Sequence, residues 1–215
     1  MKSAVPINLR QQQNAQTRRA ILGALAEVIV ESSAIGFSVQ QVADRAGVTH
    51  RTVYNHFPSR EALTDAFAEY VEEELAAAVD GGAPPDANLT MSKIASMPDE
   101  GYAAFGRLSL HVHASVMLMI ASRAQAQVTR DRTDRFAQVL ESELEQLSPE
   151  TARLSAAALR MFASSTAWHL MTEHLGLSTD EARRTATWAT KTLLRAIASG
   201  DYPGMENRDE PTDDR

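Results

Sequence analysis

Residues 38–63 constrain this 215-residue chain more than any other stretch, because they predict two short helices joined by a tight turn and a third helix directly after them. Ser38 can cap the first helix through its hydroxyl. The apolar residues that follow it recur at i, i+3 and i+4, which is the spacing of one helical face. Gly47 can adopt the left-handed conformation that a tight turn requires. The stretch therefore predicts a helix-turn-helix followed by a connecting helix.

The second of these helices has an unusual surface. Val53 and Phe57 lie four residues apart and are predicted to point inward. The outward residues all carry side chains that can form hydrogen bonds, and they are Thr49, His50, Arg51, Thr52, Tyr54, Asn55 and His56. So many donors on one short helix favour a nucleic-acid surface. Arg51 could bond to O6 and N7 of guanine, and Thr49 could meet a thymine methyl group or a phosphate. His50 and Asn55 are the other candidates for contact with base edges.

The run G-F-S-V-Q-Q-V-A-D-R-A-G-V-T-H-R-T-V-Y-N-H-F-P-S-R-E-A-L, at residues 36–63, resembles the N-terminal signature of the tetracycline-repressor-like (TetR) family of transcriptional regulators. An amphipathic helix predicted at about residues 17–33 extends the resemblance to roughly the first quarter of the chain. The remainder is similar to the family only in length and all-helical character. Arg51 departs from the family pattern, since many members carry glycine there, and this changes the chemistry that faces DNA.

A second group of residues is predicted to contact DNA phosphates. Arg18 and Arg19 lie near the start of the first predicted helix, where the helix dipole favours anions, so a nearby phosphate would stabilise them. Ser59 and Arg60 lie at the amide-rich start of the connecting helix, which can bind a phosphate. The resemblance implies the same role for Thr52, Tyr54 and His56. Ser38 completes the predicted phosphate contacts.

Charge is divided unevenly along the chain. Residues 1–60 hold seven basic and three acidic side chains, a net charge of +4, whereas residues 61–215 hold 14 basic and 25 acidic side chains, a net charge of −11. This asymmetry separates an end that can face a polyanion from an acidic body. There is no cysteine, which excludes disulfides and thiolate chemistry. The longest apolar run, residues 116–121, is too short to span a bilayer, so we expect a cytoplasmic protein with no membrane contact.

We predict an all-α protein in which an N-terminal three-helix DNA-binding domain joins a larger helical domain for ligand binding and dimerisation. Residues 1–16 are polar and predicted to be a disordered arm. Residues 17–58 form the DNA-binding domain and residues 59–200 the regulatory and dimerisation domain. Residues 201–215 form a disordered acidic tail.

Two long helices are predicted at the end of the body, at about residues 149–174 and 179–198. One face of the first would carry Leu154, Ala158, Met161, Phe162, Ser165 and Trp168, and one face of the second Ala182, Ala186, Ala189, Leu193 and Ile197. The resemblance implies that these two helices pair with those of a second subunit to form a homodimer. An intramolecular packing face is the alternative.

The body also holds candidates for an effector pocket. Methionines and aromatic residues can line an adaptable apolar cavity, although the same residues are common in an ordinary core. The candidates are Met91, Met97, Phe105, His111, Met117, Met161, Phe162 and His169. His111 and His113 lie on different sides of a helix, whereas His169 and Glu173 are a usable i, i+4 pair. We predict no bound metal and no cofactor.

These features together predict a homodimeric transcriptional regulator, most simply a repressor that binds a near-palindromic double-stranded DNA operator and is released by a small apolar effector. The first alternative is a helix-turn-helix protein without a small-molecule effector, controlled by a protein partner. The second is an enzyme with its site in the helical body. The chain lacks nucleophile-elbow, phosphate-loop and dinucleotide motifs, so the sequence does not predict an enzyme.

Overall fold

The computed structural model describes residues 9–32, 36–79, 89–121, 125–144 and 147–203. Within these residues the secondary structure is helical and contains no strand, which confirms the predicted all-α class. The α-helices are α1 (Leu9–Ser32), α2 (Val39–Arg45), α3 (His50–His56), α4 (Arg60–Ala78), α5 (Met91–Arg107), α6 (Ser109–Ala121), α7 (Gln125–Glu143), α8 (Pro149–Phe162), α9 (Ser165–His169) and α10 (Thr179–Ala198). A single π turn, Leu170–His174, follows α9. No one helix among the described residues is long and apolar enough to cross a bilayer.

The chain divides into two compact units, and neither is continuous in sequence. Unit 1 comprises residues 1–75 and 108–123, and unit 2 comprises residues 76–107 and 124–215. This division differs from the predicted boundary at residues 58 and 59, because α4 up to Leu75 and the whole of α6 belong with the N-terminal helices. Sequence order did not reveal that α6 packs on a helix about 90 residues earlier.

Unit 1 is built around α1, which packs against α2 and α6. Its fully buried side chains include Ile21, Leu25 and Ile29, and Ala114 of α6 joins the same core. The helix begins at Leu9, so residues 9–16 are helical and not disordered as predicted. Because these residues are exposed, no apolar periodicity marked them as helix. Residues 1–8 of the predicted arm lie outside the described residues.

Unit 2 is held together mainly by α5 packing on α10 and α7 packing on α8. Ile94, Phe136, Leu140 and Leu159 are fully buried in its core. α5 and the start of α10 approach so closely that a Cβ atom on Gly106 would lie 2.7 Å from Cγ2 of Thr179. Glycine at position 106 therefore permits the contact between these two helices.

The predicted helix at residues 149–174 is wrong as a single element. It begins as predicted, with Ser148 as cap and proline in the first turn, but α8 ends at Phe162. The Ser164 hydroxyl then accepts a bond from the Ala167 N–H at 3.1 Å and caps a new helix, α9. This capping interaction favours a restart over continuation. The buried face of α8 consists of Ala152, Ser155, Ala156 and Leu159, and it is therefore not the face of Met161 and Phe162 for which pairing with a second subunit was predicted.

α10 agrees with the prediction. Ser178 and Glu181 form a capping box, in which the Ser178 N–H also donates to the Glu181 carboxylate at 2.9 Å. The predicted face is buried inside the subunit at Ala182, Ala186, Ala189 and Ile197, whereas Leu193 is half-buried. This is the intramolecular packing that was the alternative to a dimer face. Of the predicted acidic tail, residues 201–203 are not helical and the rest lies outside the described residues.

Candidate nucleic-acid interface

The start of α3 is fixed by two threonines. The Thr49 hydroxyl accepts a bond from the Thr52 N–H at 3.1 Å, and the two side-chain hydroxyls are 2.8 Å apart. Gly47 precedes this cap with a φ of 67°, the left-handed conformation expected of the turn. Ser38 caps α2 in the same way, with Gln41 completing a capping box. Thr49 and Ser38 therefore have structural roles before any contact with DNA is considered.

The exposed face of α3 carries the four candidates for base contact. Thr49, His50, Arg51 and Asn55 are all exposed. Val53 is buried as predicted, and it fastens the opposite face of the helix to the unit 1 core. The seven-residue helix therefore presents one polar side to solvent and is held rigidly from behind.

The aromatic and half-buried residues of α3 continue this surface. Tyr54 has an exposed fraction of 41%, and its ring meets that of His50 edge-to-face with centroids 4.7 Å apart. Thr52 and His56 are half-buried. His56 lies beside the buried ring of Phe57, at 6.2 Å between centroids. These three phosphate candidates flank the exposed base-contact candidates.

Two of the predicted phosphate-binding arginines stack on aromatic rings. The Arg18 guanidinium lies over the ring of Phe57 at 4.5 Å from its centroid, and that of Arg60 lies over Phe37 at 4.1 Å. Such stacking orients the guanidinium through its face. Phe57 closes the end of α3, so Arg18 is positioned from α1 against the recognition helix.

The other two phosphate candidates are placed differently. The Ser59 hydroxyl accepts a bond from the Ala62 N–H at 3.0 Å and so caps the start of α4. Arg19 lines a cleft of about 180 Å³ within unit 1, together with Arg18, Glu69 and Glu73. The two glutamates give this cleft, which both arginines line, a mixed charge.

An ion-pair network that the sequence did not predict fastens α2 to α1. The Arg45 guanidinium donates to Glu27 at 2.9 Å and to Glu31 at 2.5 Å. The bond from Arg45 lowers the pKa of the Glu31 carboxyl below its usual value, and the bonds from both glutamates raise the pKa of Arg45. Because these side chains are exposed, the network contributes little to stability. The network holds the Arg45 side chain against α1, and Glu27 and Glu31 neutralise its charge within unit 1.

The eight pocket candidates are divided between the two units. His111 and Met117 pack in unit 1, where the His111 ring lies 5.6 Å from that of Tyr70 and 6.3 Å from that of Phe67. Burial lowers the pKa of His111, and the charges of Glu74 and Glu27 partly oppose this. These two candidates belong to unit 1, and the other six belong to unit 2.

The remaining six candidates belong to unit 2 but differ in their surroundings. Met91 and Met97 pack against the core formed by α7 and α8, whereas Met161 is 58% exposed. The Phe105 ring contacts those of Tyr102 and Trp168, with centroids 5.7 Å and 5.9 Å apart.

The last two candidates lie on either side of the break after α8. The Phe162 carbonyl accepts a bond from the buried Tyr102 hydroxyl at 2.9 Å. His169 is half-buried at the end of α9, and burial lowers its pKa. Among the described residues, no group of three or more histidine, aspartate or glutamate side chains is arranged around a metal position.

Residues 21–67 match the family model for bacterial regulatory proteins of the tetR family. Residues 21–67 therefore carry a DNA-binding domain of the TetR type. The match contains the whole helix-turn-helix and the first residues of α4, and it confirms the resemblance seen in the sequence. No curated protein matches the chain.

Solved structures of TetR-family regulators share the fold over most of this chain. PfmR from Thermus thermophilus is 18% identical, with 81% of this chain and 97% of that chain covered and a TM-score of 0.58. A TetR-like regulator from Rhodococcus sp. RHA1 is also 18% identical, with 92% and 100% covered and a TM-score of 0.60. SmeT, the repressor of the Stenotrophomonas maltophilia multidrug efflux pump SmeDEF, is 21% identical, with 83% and 89% covered and a TM-score of 0.59.

Proposed function

We propose that this TetR-family chain is a transcriptional repressor that acts in the cytoplasm, binds a near-palindromic operator as a homodimer and is released by a small apolar ligand. The observation that carries the DNA-binding part is the exposed face of α3. Four side chains able to read base edges stand on a helix that is capped at Thr49 and anchored from behind by Val53. A rigid polar helix of this kind fits the major groove of duplex DNA.

The proposed contacts divide by chemistry. Arg51, His50 and Asn55 read bases, because they are exposed and can donate to base edges in the major groove. Tyr54 and Arg18 contact the DNA backbone on either side, and their positions are set by ring contacts with His50 and Phe57. Backbone contacts fix the position of the protein on DNA, whereas base contacts give specificity.

Exposed apolar side chains in unit 2 support the proposed dimer. Met161 is 58% exposed, Leu170 50%, Leu175 64% and Trp188 65%. Large exposed apolar side chains favour a surface that another molecule covers when they lie on one patch. Met161 lies on α8, Trp188 on α10, Leu170 in the π turn and Leu175 next to it. This is the part of the chain where dimerisation was predicted. Two subunits would then place their α3 helices about 34–36 Å apart, one turn of DNA.

The proposed effector is a small apolar molecule bound in unit 2. The aromatic cluster of Tyr102, Phe105 and Trp168 offers the kind of surface that such ligands use. α4 starts at the Ser59 cap beside the recognition helix and runs continuously to Ala78, in unit 2, so it can carry a displacement along the chain. A ligand that favours the released state by 100-fold contributes about 2.7 kcal/mol per site.

The first experiment is selection of bound sequences from random duplex DNA by the purified protein, at stated salt concentration. An enriched inverted repeat is expected, and its half-site spacing measures the separation of the two α3 helices. Absence of any enriched sequence would contradict the proposal. The selected operator then serves to screen apolar compounds for release, and a regulator controlled by a protein partner would respond to none of them.

Substitution of Arg51 tests its assignment as a reader of bases. Arg51→Ala should cost about 1–3 kcal/mol in operator affinity and relax selectivity at one base position. Tyr54→Phe should weaken binding to all sequences about equally, because its hydroxyl is assigned to a phosphate. Arg184→Ala, on α10, removes the same charge from unit 2 and is the control. An equal loss on every sequence for Arg51→Ala would show that Arg51 contacts the backbone instead.

A further inference from the structure

The π turn after α9 changes which side chains are neighbours. It contains an i to i+5 bond, from the Leu175 N–H to the Leu170 carbonyl at 3.1 Å. In a regular α-helix, neighbours on one face are three or four residues apart, so His174 would not lie beside His169. In the wider turn it does, and the centroids of the two imidazole rings are 5.9 Å apart with an interplanar angle of 68°.

The two histidines stand on a well-anchored piece of backbone. Trp168 and Met171 are buried beneath the turn. The Thr172 hydroxyl donates to the carbonyls of Trp168, at 3.0 Å, and of His169, at 3.3 Å. These contacts hold the turn in place, so the spacing of the imidazoles is set by the fold and not by the side chains alone.

The surroundings of the pair are open on one side and acidic. His169 is half-buried, whereas His174 is exposed to solvent. Glu173 is also exposed, and its charge acts on the His169 imidazole. In the single subunit a cation held between the two rings would therefore be accessible from water and would gain from the neighbouring carboxylate.

We propose that His169 and His174 bind one divalent late-transition-metal ion, of the class Cu²⁺, Ni²⁺ or Zn²⁺, with Glu173 as electrostatic support and water completing the coordination. Imidazole nitrogen is a preferred ligand for these ions, and the chain has no cysteine to offer a softer site. Two protein ligands agree with the absence, among the described residues, of any group of three or more such side chains around one point. This site is independent of the DNA-binding function proposed above.

The observed spacing needs little adjustment to chelate an ion. A metal–nitrogen distance of about 2.0–2.1 Å places each ring centroid about 3.2 Å from the ion. At a tetrahedral angle the two centroids would then be about 5.2 Å apart. The rings are 5.9 Å apart, so they must approach by about 0.7 Å. The ring orientation must change as well, because the nitrogen lone pairs lie in the ring planes and the rings now meet edge-to-face, and the exposed His174 is the side chain that would rotate.

Metal titration of the full chain, without a histidine tag and after treatment with a chelator, tests the proposal. Copper, nickel and zinc sulfates are titrated near neutral pH in competition with a chromophoric chelator. One ion per chain is expected, with Cu²⁺ bound most tightly. His169→Gln and His174→Gln should each weaken Cu²⁺ binding by at least about tenfold, since loss of even an outer-shell partner can cost that much. His113→Gln, on α6, is the matched control and should bind like the unchanged chain.

The electron paramagnetic resonance spectrum of the Cu²⁺ complex provides a second measurement. Two nitrogen ligands are expected for the unchanged chain and one for each single variant. Circular dichroism shows whether each variant keeps its helices. Unchanged affinity and unchanged nitrogen coupling in His174→Gln would overturn the proposal. Operator binding of the same variants is measured separately, so a failed metal site and a failed DNA-binding assignment give different results.

Discussion

The Thr49 side chain is expected to have two roles that substitution can separate. Its hydroxyl caps α3 through the Thr52 N–H, and its methyl group is a candidate for contact with a thymine. Thr49→Ala removes both the hydroxyl and the methyl contact. Thr49→Ser keeps the hydroxyl and removes only the methyl group. Comparison of the two variants therefore assigns the cap and the base contact independently.

The structure sets the size of the capping effect. Loss of an N-cap hydroxyl costs about 1 kcal/mol, with a range of about 0.5–2 kcal/mol. The further bond between the Thr49 and Thr52 hydroxyls is exposed and adds little. Because α3 has only seven residues, the loss falls on a helix with few bonds of its own. A loss of about 1 kcal/mol in local stability makes the amide hydrogens of α3 exchange about fivefold faster.

Hydrogen exchange followed by mass spectrometry on peptides from residues 49–57 measures the cap. We expect about fivefold faster exchange in Thr49→Ala and no change in Thr49→Ser. Titration with the selected operator measures the base contact, and Thr49→Ser should lose selectivity at a thymine position only. If Thr49→Ser exchanged as fast as Thr49→Ala, the hydroxyl would not be the group that stabilises α3.

Three further predictions concern the cores of the two units. Gly106→Ala should lower the free energy of unfolding of unit 2 by about 1–3 kcal/mol, because its Cβ would lie 2.7 Å from Thr179, and Thr179→Ala should relieve the effect. Denaturation followed by the fluorescence of the two tryptophans, both in unit 2, measures this loss. Additive losses in the double variant would contradict the prediction. Tyr102→Phe should lower the free energy of unfolding by about 1–3 kcal/mol in the same assay, because it leaves the Phe162 carbonyl without its buried donor. An unchanged free energy would show that water replaces the hydroxyl. The pKa of His111 is lowered in the folded protein, so folding favours its neutral form. The free energy of unfolding of unit 1 should therefore fall as the pH drops below about 6.5, where the unfolded chain takes up the proton first. His111→Gln should flatten this dependence on pH, and an equal slope in both proteins would refute the prediction.

The parts of the fold that follow local rules could be predicted from the sequence. The caps at Ser38, Thr49 and Ser178 and the turn at Gly47 each depend on residues within a few positions of one another. The polar face of α3 follows from the i, i+4 spacing of Val53 and Phe57, and its base-contact candidates are exposed as predicted. These features also carry the family signature, so local pattern and resemblance agreed.

The features that sequence reasoning missed depend on other forces. The break after Phe162 lies among alanine and serine, which are tolerated in a helix, and only the capping ability of Ser164 signalled a restart. The network of Arg45 with Glu27 and Glu31 joins residues 18 and 14 positions apart, which no local pattern pairs. The π turn has no recognised sequence signature, so the closeness of His169 and His174 was visible only in the structure.

The placement of α6 in unit 1 has a consequence for how the protein is made. Ala114 packs in the same core as the N-terminal helices, so the DNA-binding unit lacks part of its core until residue 121 has been synthesised. A nascent chain that ends at α4 would expose the apolar face of α1, which is a risk for aggregation. Chimeric regulators joined after residue 58 or 75 would combine α1 with a foreign α6. A domain exchange that moves α6 together with the first 75 residues should preserve DNA binding by α3.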